Sequence, residues 1–284
     1  MRGVSGALFP QLYKRCFSGI IMVGECETPQ PAARKPEYAM QKEGLTMTPE
    51  NASAQARPLL VAIDGPVGAG KSSISDEVAR RLGILHLDTG AMYRAAGLYV
   101  LRQGLDPHDE QAATAAVEKT DIGVRYTDGG QRTLLNGEDV TELIRTEEIS
   151  KAASAVSSHA GVRRQLVKAQ RALAESTPML MDGRDIGTVV LKDAPVKIYL
   201  TASPEARAER RLKQYAEKGE THTFEEVLRA VNARDYADMH READPLRKAD
   251  DAVVVDSSDL SFEETVNAIL ALVNAAMEKE ALHV

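Results

Sequence analysis

The octapeptide Gly65-Pro66-Val67-Gly68-Ala69-Gly70-Lys71-Ser72 follows directly on the apolar run Leu59-Leu60-Val61-Ala62-Ile63. Its spacing, G-x-x-x-x-G-K-[ST], is that of a phosphate-binding loop. The flanks fit the same reading. A short apolar run reads as a buried parallel strand, and residues 72–82 have helix-forming composition that stops at Gly83. Glycines let backbone N–H groups turn inward onto an anion, and the helix N-terminus adds unpaired N–H groups and the positive end of its dipole. Gly65, Pro66, Val67, Gly68, Ala69, Gly70, Lys71, Ser72 and Ser73 are therefore the candidate nucleotide-binding residues. Lys71 would reach the β- and γ-phosphates of ATP, and the Ser72 hydroxyl would ligate Mg²⁺. The competing reading, a glycine-rich turn with a solvated lysine, accounts for neither flank.

The rest of the chain alternates strand with helix. Strand-like runs are expected at 84–87, 179–181, 196–200 and 252–255, and helices at 89–103, 161–175, 204–219, 224–240 and 261–279. Ser203-Pro204 reads as an N-cap followed by proline at the first helical position. Such alternation implies an α/β fold, a parallel five-stranded sheet with helices on both faces. One region breaks the rhythm. The runs 122–127 and 132–135 are joined by Asp128-Gly129-Gly130, a hairpin signal. They predict a small antiparallel insertion where a substrate-covering subdomain would sit.

Composition narrows the function. The 284 residues are 43 % hydrophobic and 27 % charged, enough for a core without disulfides or metals. A net charge of −7 offers no footprint for nucleic acid. No apolar run approaches the roughly 18 residues of a membrane span. The two cysteines, Cys16 and Cys26, lie outside the expected domain, which fits a reducing, cytoplasmic compartment. Residues 1–57 carry no clear period, and 1–24 contain Arg2, Lys14 and Arg15 but no acid. This stretch is expected to be a disordered extension, or a start set upstream of the true one, with Met22, Met40 and Met47 as internal candidates. A targeting segment is the other reading. The expected domain is 58–284, and nothing in it demands more than a monomer.

Asp182 ends the run Met179-Leu180-Met181. An acid at the end of a buried strand beside a phosphate loop can hold Mg²⁺ directly or through water. Arg94, Arg163, Arg184, Arg210, Arg211, Arg234 and Arg241 follow expected strands or stud expected helices. The planar guanidinium suits bidentate contacts to phosphate, and phosphoryl transfer needs several cations because charge spreads over the transferred group. An exposed arginine-rich helix face explains most of them equally well. Arg184, in Asp182-Gly183-Arg184-Asp185 at a strand end, is the one better explained by function. The six histidines show no ligand spacing and read as surface or cap residues. There is no nucleophile-elbow pattern, and no Asn-Lys-x-Asp guanine-reading motif.

Residues 59–280 resemble the bacterial cytidylate kinases, nucleoside monophosphate kinases with a P-loop fold. The resemblance rests on Ile63-Asp64-Gly65-Pro66 leading into the loop, on Leu87-Asp88-Thr89-Gly90-Ala91-Met92-Tyr93-Arg94, and on Leu135-Asn136-Gly137-Glu138-Asp139-Val140. It continues through Glu142-Leu143-Ile144-Arg145-Thr146-Glu147, 182–190 and 194–200, covering nearly the whole domain in order. It implies an insertion in the nucleotide-monophosphate subdomain, about 105–160, and a short lid, about 207–222. It also implies transfer of the γ-phosphoryl group of ATP to CMP or dCMP.

By the same resemblance, Ser154, Arg163 and Asp185 read the cytosine ring. Thr89, Arg94, Arg184 and Arg241 hold the substrate phosphate, and Arg234 and Asp238 contact the sugar and its neighbourhood. Lys71, Arg184, Arg241 and Arg210 act on the transferred group, with Ser72 and Asp182 at the metal. Many family members carry Gly-Thr or Ser-Thr where this chain has Ser72-Ser73, and some carry serine at Thr89; both positions keep the hydroxyl. A kinase for uridylate, adenylate or shikimate stays open on the residues, as does a nucleotide-dependent switch without transferase activity.

Overall fold

The computed structural model describes residues 58–127 and 129–281. The readings placed on residues 1–57, including both cysteines, and on Asp128 of the hairpin turn lie outside the described residues.

The elements run β1 (Leu60–Asp64), α1 (Lys71–Leu82), β2 (Leu85–Asp88), α2 (Thr89–Arg102), α3 (Glu110–Val117), β3 (Ile122–Thr127), β4 (Gly130–Leu135), β5 (Glu138–Asp139), α4 (Glu147–Val156), α5 (Ala160–Ala174), β6 (Met179–Gly183), β7 (Val196–Thr201), α6 (Pro204–Glu217), α7 (Phe224–His240), β8 (Val253–Asp256) and α8 (Phe262–Ala281). A 3₁₀ turn spans Leu143–Arg145 and a π-helical turn Ile186–Val190. The five core strands are all parallel, in the order β2-β6-β1-β7-β8. The order reverses beside β1, and in such sheets ligands bind beyond the carboxyl ends of the strands at that reversal.

Strand periodicity divides the core. Val61, Ile63, Leu180 and Ile198 pack on one face with Ile74 and Val78 of α1 and Val266, Ile269 and Val273 of α8. Ala62, Met179 and Met181 face the other way, onto Met92 and Ala96 of α2, Val156 of α4 and Leu166 of α5. A strand buried on both faces must read as a continuous apolar run, which is why β1 and β6 were visible in the sequence. Local chemistry sets the helix starts: the Ser203 hydroxyl accepts from Ala206 N at 3.1 Å, and a Thr223–Glu226 capping box opens α7.

The insertion holds more than the expected hairpin. β3, β4 and β5 form a three-stranded antiparallel sheet, and α3 and α4 flank it. Both helices are short and alanine-rich, and α3 has only a faint apolar stripe, whereas α4 buries Ile149, Ala152, Ala153 and Val156 along one face. Asp109 caps α3 by accepting from Ala112 N at 3.0 Å, and Thr146 caps α4 by accepting from Ile149 N at 3.2 Å. The second strand also begins one residue later than expected and runs on through Asp88.

Candidate active site

The loop after β1 is built from backbone. Gly65 turns with φ 153°, and a Cβ there would lie 1.9 Å from Leu200 O. Gly70 caps α1 in the left-handed conformation, φ 85°. Lys71 is buried, with its Nζ donating to Gly65 O at 2.8 Å and Pro66 O at 2.7 Å. Burial, and then the Arg184 guanidinium, lower its pKa to about 7. Arg207 of α6 grips the loop from outside. Its Nη1 donates to Val67 O and its Nε to Ala202 O, both at 2.9 Å, and Nη2 pairs with Asp235 at 2.6 Å. Sequence reasoning missed Arg207, because nothing local marks it; its carboxylate partner lies on α7.

Asp182 forms the floor. Ser72 Oγ donates to its Oδ2 at 3.0 Å, His86 Nε2 lies 2.8 Å from its Oδ1, and Thr89 Oγ1 donates to its backbone carbonyl at 2.7 Å. Burial pushes the Asp182 carboxyl up, but the hydrogen bond and charge of His86, the Lys71 ammonium and the Ser72 hydroxyl together outweigh it, and the group stays below its usual range. His86 is held at about 9: burial lowers it, and the carboxylates of Asp182 and Asp76 more than restore it. The expectation that the histidines are surface or cap residues therefore fails at His86. His159 is buried, with its Nε2 2.8 Å from Pro107 O, but it does hold the N-cap position of α5. The period-2 alternation of Leu85-His86-Leu87-Asp88 was the available signal, since it puts His86 and Asp88 on one face of β2.

The other half is a lattice of arginines and carboxylates. Asp238, 4 % exposed, takes Arg184 Nε at 2.8 Å on one oxygen and Arg234 Nε at 3.2 Å on the other. Arg94 Nη2 donates to Asp88 at 2.7 Å, while its Nε is buried with no partner in the structure. Arg163 and Arg241 both pair with Asp185. Burial raises the Asp185 pKa, and the Arg163 guanidinium opposes it. Asp64 anchors the segment that carries Arg184 and Asp185: its two oxygens accept from Ile186 N and Gly187 N, each at 2.7 Å. Burial raises Asp64 to about 7 despite those two bonds.

The family model described as cytidylate kinase matches residues 61–275. The chain belongs to the cytidylate kinase family. A cytidylate kinase of Caldicellulosiruptor bescii is 48 % identical over 220 residues, which cover 78 % of this chain and 97 % of that protein. Those of Rhodococcus opacus and Geobacillus kaustophilus are 50 % identical over 217 residues and 46 % identical over 218, covering 76 % and 77 % of this chain and 95 % and 97 % of the relatives.

In this cytidylate kinase fold, a cleft of about 520 Å³ joins the two halves. Val67, Gly68, Gly70, Lys71, Ser72 and Ser73 line it on one side, with Asp182 at the floor. Thr89, Arg94, Arg184, Asp185, Arg234, Asp238 and Arg241 line the other, and Arg210 joins them from α6, with Nη1 donating to Ser257 Oγ at 3.1 Å. Gly65, Pro66 and Ala69 belong to the loop but not to the wall; Arg163 of α5 is likewise outside the lining, buried against Asp185. Ser154 is also outside the lining; Ser150, Ala153 and Ser157 supply that stretch of wall.

Proposed function

We propose that the protein transfers the γ-phosphoryl group of ATP to CMP or dCMP, giving ADP and CDP or dCDP, through a donor subsite at 65–73 and an acceptor subsite around Asp185. Family membership carries the reaction; the single observation that supports the acceptor is the buried Asp185 carboxylate braced by two arginines at the cleft wall. A carboxylate there accepts from the exocyclic amino group of cytosine, as it does at C N4 in nucleic acids. Uracil presents a carbonyl at that position. The mismatch sets a carbonyl oxygen, itself an acceptor, against the buried carboxylate and forfeits the hydrogen bond, which costs about 1–3 kcal/mol, tenfold or more in discrimination.

The attacking oxygen belongs to a phosphate that is already ionised, so the reaction needs no general base. Catalysis is positioning and charge neutralisation. Lys71, Arg184, Arg241 and Arg210 converge on the cleft where charge spreads in transfer. Arg94 offers a buried, unpartnered Nε to the acceptor phosphate. Ser72 and Asp182 fit Mg²⁺: a hydroxyl and a carboxylate oxygen 3.0 Å apart are a sparse hard-oxygen set, of the kind this ion completes with phosphate oxygens and water. When bound, Mg²⁺ would neutralise the donor phosphates. Residues 105–160 and 207–222 are the parts we expect to close and exclude water, the competing acceptor. The same reading places the work in the cytoplasm. It asks for no partner chain, because every residue named comes from one.

The test is ADP release by the purified protein with Mg-ATP and each of CMP, dCMP, UMP, AMP and shikimate. CMP and dCMP should be turned over, with UMP weaker by about tenfold or more. A preference for another acceptor would leave the loop assignment intact and overturn that of the acceptor subsite.

A further inference from the structure

Asp244 lies between α7 and β8, outside every motif that identified the family. Its backbone is left-handed, φ 48°, a conformation that aspartate tolerates better than most residues. The segment is pinned just beyond it, where Leu246 is buried and donates its N–H to Asp238 O at 2.8 Å. That turn aims two acceptors of one residue at two arginines. The Asp244 carboxylate takes Arg163 Nε at 2.8 Å. Its backbone carbonyl takes Arg241 Nε at 2.8 Å and Nη2 at 2.5 Å. Asp185 joins the same two arginines, through Nη2 of Arg163 and Nη2 of Arg241. The four residues close a ring.

Arg163 is the member with least freedom. Its side chain is 2 % exposed, sits 5.7 Å over the Tyr93 ring, and gives Nη1 to Ser157 O at 3.3 Å. All three nitrogens are thus engaged, and the one facing away from Asp185 is engaged by Asp244. We infer that Asp244 is a positioning residue for base recognition: by holding Arg163 Nε, it keeps that guanidinium from collapsing wholly onto Asp185 and leaves the Asp185 carboxylate free to accept from the base. This rests on the reading of the acceptor as a cytosine nucleotide. Asp244 itself does not line the cleft. It acts through Arg163, whose Nε would otherwise be a buried donor without a partner, a costly state.

Steady-state kinetics of the full chain and of Asp244→Gly and Asp244→Asn, with CMP, UMP and ATP, test it. Glycine keeps the left-handed backbone and the carbonyl on Arg241, so only the carboxylate is lost. Asp244→Gly should raise the CMP KM roughly tenfold and shrink the CMP-over-UMP preference by a similar factor. The ATP KM and the kcat at saturating CMP should hold. Asp244→Asn keeps an oxygen acceptor and should stay within about threefold of wild type. Asp244→Ala serves if the glycine variant is too unstable to assay. A folded Asp244→Gly whose CMP KM and base preference stay within about twofold of wild type overturns the inference, as does an equal rise in both KM values. A wild-type chain that ignores CMP overturns the acceptor reading itself, and the wild-type arm separates that failure from a failure of Asp244.

Discussion

The donor and acceptor halves of the cleft are built in opposite ways. The donor half we propose is one continuous stretch, 65–73, in which main-chain N–H groups and a single lysine would do the binding, and Arg207 and Asp182 brace it from elsewhere in the chain. The acceptor half draws Arg94 from α2, Arg163 from α5, Arg184 and Asp185 from the end of β6, and Arg234 and Asp238 from α7. There, side chains hold other side chains: Asp238 spans two arginines, and Asp185 spans two more. A phosphate is nearly the same object in every nucleotide, so a fixed backbone cradle suffices. A base must be told from its near-isosteres, which requires oriented acceptors, and in a buried site these require charged partners to hold them.

The comparison breaks first at Lys71. Lys71→Met should lower kcat by about a hundredfold to a thousandfold while circular dichroism stays unchanged, because one preorganised cation is lost where charge develops. Near-full turnover would mean that the local cradle is not the catalytic half. Asp185→Asn should act on one side only. CMP kcat/KM should fall by about tenfold or more with little change in the ATP KM, since the neutral amide weakens both arginine pairings and offers one acceptor oxygen in place of two. An equal loss for ATP would show that the halves are mechanically one.

The smallest effect concerns protons. Lys71 has a pKa of about 7, so near pH 7.5 a large share of it is neutral. Binding the anionic phosphates favours the ammonium, so its pKa rises and the complex takes up a fraction of one proton. Calorimetry of ATP binding in buffers of different ionisation heat should register uptake that is greatest between the pKa values of the free and bound lysine and fades below about pH 6. Proton release, or none, would place the buried charge elsewhere.

How much of this was legible follows the same division. The loop, β1 and β6, and the caps at Ser203 and Gly83 are local consequences of spacing and periodicity, so the sequence determined them alone. The parallel α/β class followed from alternation. The helix α3 was invisible because its alanine-rich stripe carries weak periodicity and its stability comes from packing; α4 was legible in the Thr146 cap and the spacing of Ile149, Ala152, Ala153 and Val156, and was missed because it is short. Arg184 stood out because a strand end fixes its place. His86, Arg207, Asp64 and Asp244 did not, because each matters through a partner remote in the chain: Asp182, Asp235, Ile186 and Gly187, and Arg163. The sequence by itself determined the backbone shape of the proposed phosphate cradle, since that geometry is written in glycine spacing. Only the tertiary structure decided which charges meet, since the energy of a buried ion pair depends on distance and desolvation, and neither is a property of spacing along a chain.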